Sequence, residues 1–203
     1  MSRYRGPRVR MLRALGSDLP GLTRKNHERR PYPPGQHGQS RRKLSEYGLR
    51  LLEKQKLRLN YGLGERQLLR LFVEARRRKG NTAERLIELL ERRLDNVVFR
   101  AGFARTIPAA RQLISHGHVL VDGRRLDIPS YRVREREVIS LRERSRKLAA
   151  ITSSLATPLP FPTPWLAVDA DARVATVVAL PDAGSVPFSV KVQLVVEFYA
   201  QRT

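Results

Sequence analysis

The chain has 203 residues, enough for one moderate domain or two small ones with real cores. It carries 40 Lys and Arg against 19 Asp and Glu; the formal net charge of +21 opposes compaction unless a polyanion is present, so nucleic acid is the natural partner and binding should be salt-dependent. The absence of cysteine excludes disulfides and thiolate metal sites, and arginines interrupt every early apolar stretch, so neither a membrane-length run nor a signal-peptide pattern is expected and the cytoplasm is the default location.

Residues 1–43 read as a basic extended arm, dense in Arg and Lys with scattered Gly and Pro and little hydrophobic periodicity. Within it, RRPYPPGQHGQ (Arg29 to Gln39) joins extended prolines to glycines that allow close backbone approach. Tyr32 can stack on a base or pack on the body. A Pro-rich ligand for a peptide-binding domain is the alternative, and the flanking arginines favour RNA.

Ser45 and Glu46 open a helix whose expected buried stripe is Leu44, Tyr47, Leu51 and Leu52, with Lys54, Lys56 and Arg58 outside. Gly62 and Gly64 end it. A second helix, from about Glu65 to Arg78, offers Leu68, Leu69, Phe72 and Val73 as its core face, and its terminal basic run fits either the helix macrodipole or phosphate. Asn81 or Thr82 caps a third helix carrying Leu86, Ile87, Leu89 and Leu90, with Glu84 placed for a capping box.

From Arg92 to Leu141 the pattern becomes two short helices followed by β-structure. Leu94, Val97, Val98 and Ala101 form one helical face that Gly102 terminates, Thr106 caps the next helix, and Ile107, Ala110, Leu113 and Ile114 give its apolar side. After Gly117 the period falls to two, and Asp122-Gly123 is a type I′ hairpin signal. Tyr131–Val133 and Val138–Leu141 read as further short strands.

Glu143 to Leu155 suggests one amphipathic helix with Leu148, Ile151 and Leu155 inward, and TPLPFPTPW then makes a semi-rigid spacer. Beyond it, Trp165–Val168 and Val174–Leu180 suggest strands, while Ser189 to Ala200 fits a strand or a short helix. The expected class is α+β. A helical domain of residues 44–91, completed by 142–203, would carry an inserted αα-then-hairpin domain at 92–141.

No phosphate-binding glycine loop, dinucleotide fingerprint or catalytic triad is present, so no enzyme, cofactor or catalytic residue is expected. His27, His37, His116 and His118 lack cysteines or a carboxylate pair beside them, and no metal is predicted. Two helices and a hairpin could read DNA as a helix-turn-helix, but PAARQLISHGH offers only Arg111, Gln112 and Ser115 as base readers. Basic residues spread over helix, turn and arm suit a folded RNA recognised by shape and backbone.

The stretch RRLDNVVFRAGFARTIPAARQLISHGHVLVDGRRLDIPSYRV resembles the RNA-binding domain named after small-subunit ribosomal protein S-four. The likeness extends to PGQHG (Pro34 to Gly38), SEYGLRLLEKQKLRLNYG (Ser45 to Gly62), ERQLLRLF (Glu65 to Phe72), KGNT (Lys79 to Thr82) and LVVEFYA (Leu194 to Ala200), in the order of the bacterial-type S-four family. That resemblance implies a structural, non-enzymatic protein that binds small-subunit ribosomal RNA at a multi-helix junction in the 5′ domain and nucleates assembly of the subunit body. It also implies contact with ribosomal protein S-five and, with S-five and S-twelve, an influence on decoding accuracy.

The RNA-facing positions it implies are Arg93, Arg105, Thr106, Arg111, His116, His118, Arg124, Arg125, Ser130, Tyr131 and Arg132, extended by Tyr47, Lys54, Lys56 and Arg58. Arg41, Arg42 and Lys43 fall where relatives border the path by which messenger RNA enters. Relatives that bind zinc do so through arm cysteines; this chain has none, so no zinc is expected. An RNA-modifying enzyme with the same domain would need a separate catalytic domain with an active-site Asp, and a ribosome rescue factor would be much shorter.

Overall fold

The structure is a computed structural model in which residue 4 and residues 6–40, 43–157 and 159–201 are described. It forms two compact units, one from Met1–Leu86 with Val186–Thr203 and one from Ile87–Ser185. Its mixture of helices and one antiparallel sheet makes it α+β, as the sequence predicts.

In the first unit, the arm contains a helix that periodicity does not foretell, α1 (Arg8–Leu15). Gly16 closes it in the left-handed conformation at φ 58°. Leu12, Leu19 and Leu22 pack with Leu59, flanked by Met11, Leu15 and Phe188. These apolar positions are divided between an eight-residue helix and the turns after it, so no run is long enough to register as periodic. The buried Asn60 side chain accepts a hydrogen bond from Gly21 N at 2.9 Å, fastening the turn to the end of the next helix.

That helix, α2 (Glu46–Asn60), starts at Ser45, whose hydroxyl accepts from Gly48 N at 3.2 Å. Its buried positions are Glu53, Lys54, Leu57, Leu59 and Asn60, whereas Leu44 and Tyr47 are exposed and Leu51 and Leu52 only half-buried. In α3 (Glu65–Arg77) the buried set is Leu68, Leu71, Phe72 and Ala75, displaced from the predicted Leu69 and Val73. Both shifts have one cause: a C-terminal segment forms a helix, α9 (Val192–Ala200), that packs on α2 and α3. Tyr199 stacks on Phe72 with ring centroids 5.1 Å apart, and Phe198 lies beneath Lys54 at 4.7 Å. Helix α4 (Thr82–Glu91) follows, with Asn81 accepting from Ala83 N at 2.9 Å and donating to Glu84 at 3.2 Å, and the division between the units falls within it.

The second unit begins its distinctive fold with α5 (Leu94–Arg100) and α6 (Ile107–Ser115). Gly102 at φ 77° ends the first, and Thr106 caps the second by accepting from Ala109 N. Then come β1 (Val119–Val121), β2 (Arg124–Arg125), β3 (Val138–Leu141), α7 (Glu143–Arg146), α8 (Ala149–Leu155), β4 (Leu166–Asp169) and β5 (Val174–Val177). The turn between β1 and β2 has φ 49° at Asp122 and 76° at Gly123, the pair of positive values a type I′ turn requires. Tyr131–Val133 is no strand and contributes only an isolated bridge from Arg132 to Arg93.

The strand order is β2-β1-β3-β5-β4, all antiparallel. One face buries Val119, Val121, Ile139, Leu141, Leu166, Ala175 and Val177. Pairing of β3 with β5 moves the expected domain boundary: residues 142–185 complete this sheet unit, and only Val186–Thr203 returns to the first. Ladder pairing across the proline spacer is a non-local contact that composition cannot display. The expected single helix over 143–155 is broken at Lys147 and Leu148, leaving Leu148 exposed and Ile151 buried.

Candidate nucleic-acid interface

Two buried polar networks underlie the cationic surface of the second unit. In one, the Asp95 carboxylate accepts from Arg93 Nε at 3.1 Å, Arg93 Nη2 at 2.8 Å, Arg111 Nε at 2.6 Å and the Asn96 backbone at 3.0 Å. In the other, Glu91 accepts from Arg100 Nε at 3.0 Å and Asn96 Nδ2 at 2.8 Å, and the Arg100 guanidinium lies 4.9 Å from the Phe161 ring centre. Buried charges persist only when paired and hydrogen-bonded.

The first network changes the standing of two predicted contacts. Arg93 and Arg111 are turned onto Asp95 and are nearly buried, with side chains 8% and 11% exposed. Asp95 itself is not singled out by the sequence; its link to Arg111 spans 16 residues and two helices, and no local spacing signals it.

Around that core lies an exposed rim. Arg105 is exposed and donates to the Ser153 carbonyl at 3.0 Å. Ser130 is exposed, Thr106 is half-buried as a cap, and Arg132 is half-buried at its bridge. Tyr131 donates to Glu137 at 2.6 Å; that bond, then burial and the Glu137 charge, push its phenol pKa up.

Arg124 and Arg125, exposed on the second hairpin strand, have no ion-pair partner among the described residues. The Arg125 guanidinium packs against Gly117, so close that a Cβ on Gly117 would overlap it. Gly117 also sits at φ 73°. Gly117→Ala is therefore expected to destabilise the protein by about 1–2 kcal/mol from left-handed strain and to displace Arg125, measurable by urea unfolding.

On either side of Gly117, His116 is exposed and His118 half-buried, with ring centres 6.0 Å apart. His118 Nδ1 lies 2.9 Å from Ser145 Oγ. Burial first, then the charges of His116 and Arg142, hold the His118 imidazole below its ordinary pKa.

In the first unit the predicted positions divide. Lys54 is buried, paired with Glu65 at 2.8 Å, and Lys56 is paired with Glu53 at 2.7 Å. Both are committed to internal contacts: Phe198 of α9 covers Lys54, and Lys56 pairs within α2 itself. Burial alone would raise the Glu65 pKa, but hydrogen bonds from Lys54 and Tyr199 and the charges of Lys54 and Arg58 outweigh it and hold the carboxyl below its ordinary value. Arg58 is half-buried and bonds Gln55 at 2.7 Å, Tyr47 packs its ring against Phe198, and Lys43 is exposed. Arg41 and Arg42 lie outside the described residues.

Among the described residues no cluster of His, Asp and Glu is arranged to hold a metal, and no helix is long and apolar enough to cross a membrane. Exposed arginines without ion-pair partners among the described residues, set on an α+β fold, are the surface a nucleic-acid-binding protein needs. Two family models match the chain, the Ribosomal protein S4/S9 N-terminal domain over residues 3–91 and the S4 domain over residues 92–139. Small ribosomal subunit protein uS4 of Methylobacillus flagellatus is 57% identical over 205 residues, covering 100% of both chains. The proteins of the same name from Synechococcus elongatus and Synechocystis sp. are 54% and 50% identical, each over 203 residues and 100% of both chains. The chain belongs to the family of small ribosomal subunit protein uS4, whose members are structural proteins rather than enzymes.

Proposed function

We propose that this chain is a primary binder of small-subunit ribosomal RNA in the cytoplasmic ribosome, gripping a multi-helix junction of the 5′ domain and nucleating assembly of the subunit body. The observation that carries this reading is the exposed group Arg105, His116, Arg124 and Arg125 on the domain matched to S4. Those side chains stand on the paired hairpin strand β2 and at the two ends of the capped helix α6, so phosphate contacts are made at little ordering cost. Family membership supports a shared influence with ribosomal proteins S-five and S-twelve on decoding accuracy. Contact with S-five belongs to the same reading. Lys43, with Arg41 and Arg42, is assigned to the path by which messenger RNA enters.

The test uses the full chain and a 5′-domain RNA fragment in filter binding across a salt series. Replacing Arg124 and Arg125 together by Ala is expected to weaken binding about tenfold or more and to make the salt dependence shallower by about two contacts. Equal affinity and equal salt slope in the double variant would refute the assigned surface. Failure of the unaltered protein to bind the fragment would refute the function itself.

A further inference from the structure

We propose that the RNA-binding surface continues past the S4-matched residues 92–139 onto the segment Arg142 to Lys147, where Arg142, Arg144 and Lys147, beside His116 and His118, make a second seat for the sugar–phosphate backbone of RNA. The inference rests on the reading of the chain as an RNA binder and enlarges its footprint.

The segment reads RERSRK, four cations against the single anion Glu143. A four-residue helix such as α7 has too little internal hydrogen bonding to hold itself. Here it is anchored from outside. Arg142 N donates to the His118 carbonyl at 3.0 Å, Ser145 is buried with its hydroxyl 2.9 Å from His118 Nδ1, and Arg146 Nε donates to the Leu141 carbonyl at 3.3 Å. The strand β3 that delivers the segment is paired on both sides, with β1 and β5.

This anchoring holds Arg142, Arg144 and Lys147 exposed on a fixed backbone, and none of the three has an ion-pair partner among the described residues. The contrast with Arg78, which pairs with Glu74 at 3.1 Å one turn away, shows that the chain uses such partners elsewhere. Cations held together without counter-charges raise the local positive potential. A polyanion relieves it. Guanidinium groups match phosphate oxygens bidentately, and Arg125 against Gly117 and exposed His116 continue the same donor-bearing surface. That continuity favours RNA over an acidic protein.

The triple variant Arg142→Gln, Arg144→Gln, Lys147→Gln, in the full chain, is measured by filter binding to the 5′-domain fragment over a salt series, with circular dichroism melting as the fold control. The expected result is an affinity lower by about tenfold or more and a salt slope shallower by about two to three, at an unchanged melting temperature. The single variant Arg144→Gln removes one exposed guanidinium that makes no side-chain hydrogen bond among the described residues. It is expected to bind a few-fold more weakly than the unaltered chain with a salt slope shallower by about one, and unaltered binding by it overturns the second seat if the triple variant fails to fold. Unaltered binding by the triple variant, while the parent chain binds normally, overturns the second seat and leaves the ribosomal-RNA reading standing. Unaltered RNA binding with impaired incorporation into subunits assigns the segment to a protein partner and equally overturns it. A parent chain that does not bind the fragment defeats the underlying reading instead.

Discussion

Glu91→Ala is expected to lower the unfolding free energy by about 3–5 kcal/mol, the cost of leaving a buried charge without its partner. Glu91 is fully buried, and the Arg100 side chain that it holds is only 1% exposed. Its carboxylate also takes Asn96 Nδ2, and the same Asn96 amide donates to the Glu91 carbonyl at 3.0 Å. Once the carboxylate is removed, the Arg100 guanidinium keeps the Phe161 ring as a neighbour but loses its anion. A cation–π contact is worth about 0.5–2 kcal/mol and does not replace a desolvated ion pair. The measurement is urea unfolding at fixed pH. The double variant Glu91→Leu, Arg100→Met should recover most of the loss, because replacing both members of a buried pair by apolar groups is often neutral. If the single variant melts like the parent, the pair contributes no net stability.

Asp95→Ala is expected to cost a similar amount, about 3–5 kcal/mol, and to weaken RNA binding as well. Its carboxylate is 1% exposed and is the shared anion of Arg93 and Arg111. The backbone at the same point ties α5 to the loop carrying Tyr131 and Arg132: Asp95 N donates to the Pro129 carbonyl at 3.1 Å and Leu94 N to the Tyr131 carbonyl at 2.8 Å. Loss of the anion leaves two nearly buried guanidinium groups to repel each other at the base of the proposed RNA surface. A double-mutant cycle with Arg111→Ala should show a coupling of about 0.5–3 kcal/mol in unfolding. Additive losses would separate Arg111 from Asp95.

Local signals were legible in the second unit because they are made by neighbouring residues. Gly102 as a helix stop, Thr106 as a cap and Asp122-Gly123 as a primed turn all appear where their chemistry requires them. Features settled by distant partners were not. Lys54 lies on a face that looks solvent-directed until Phe198, more than a hundred residues later, covers it. The same holds for Arg93 and Arg111, whose basic character is plain in the sequence while their commitment to Asp95 is not. In the candidate interface, Arg105, His116, Arg124 and Arg125 are exposed, and Arg142 and Arg144 stand exposed at the start of a segment whose sequence signals only an amphipathic helix.

The return of Val186–Thr203 to the first unit sets an order of events on the ribosome that makes the chain. Arg50 meets Glu197 across 147 residues, and Glu65 meets Tyr199 across 134. The parts of α2 and α3 that Phe198 and Tyr199 cover therefore stay open while the whole of Ile87–Ser185 is synthesised, whereas the contacts of the inserted unit are all available earlier. The nascent chain thus can display a finished sheet unit before its older, N-terminal helices are sealed by α9.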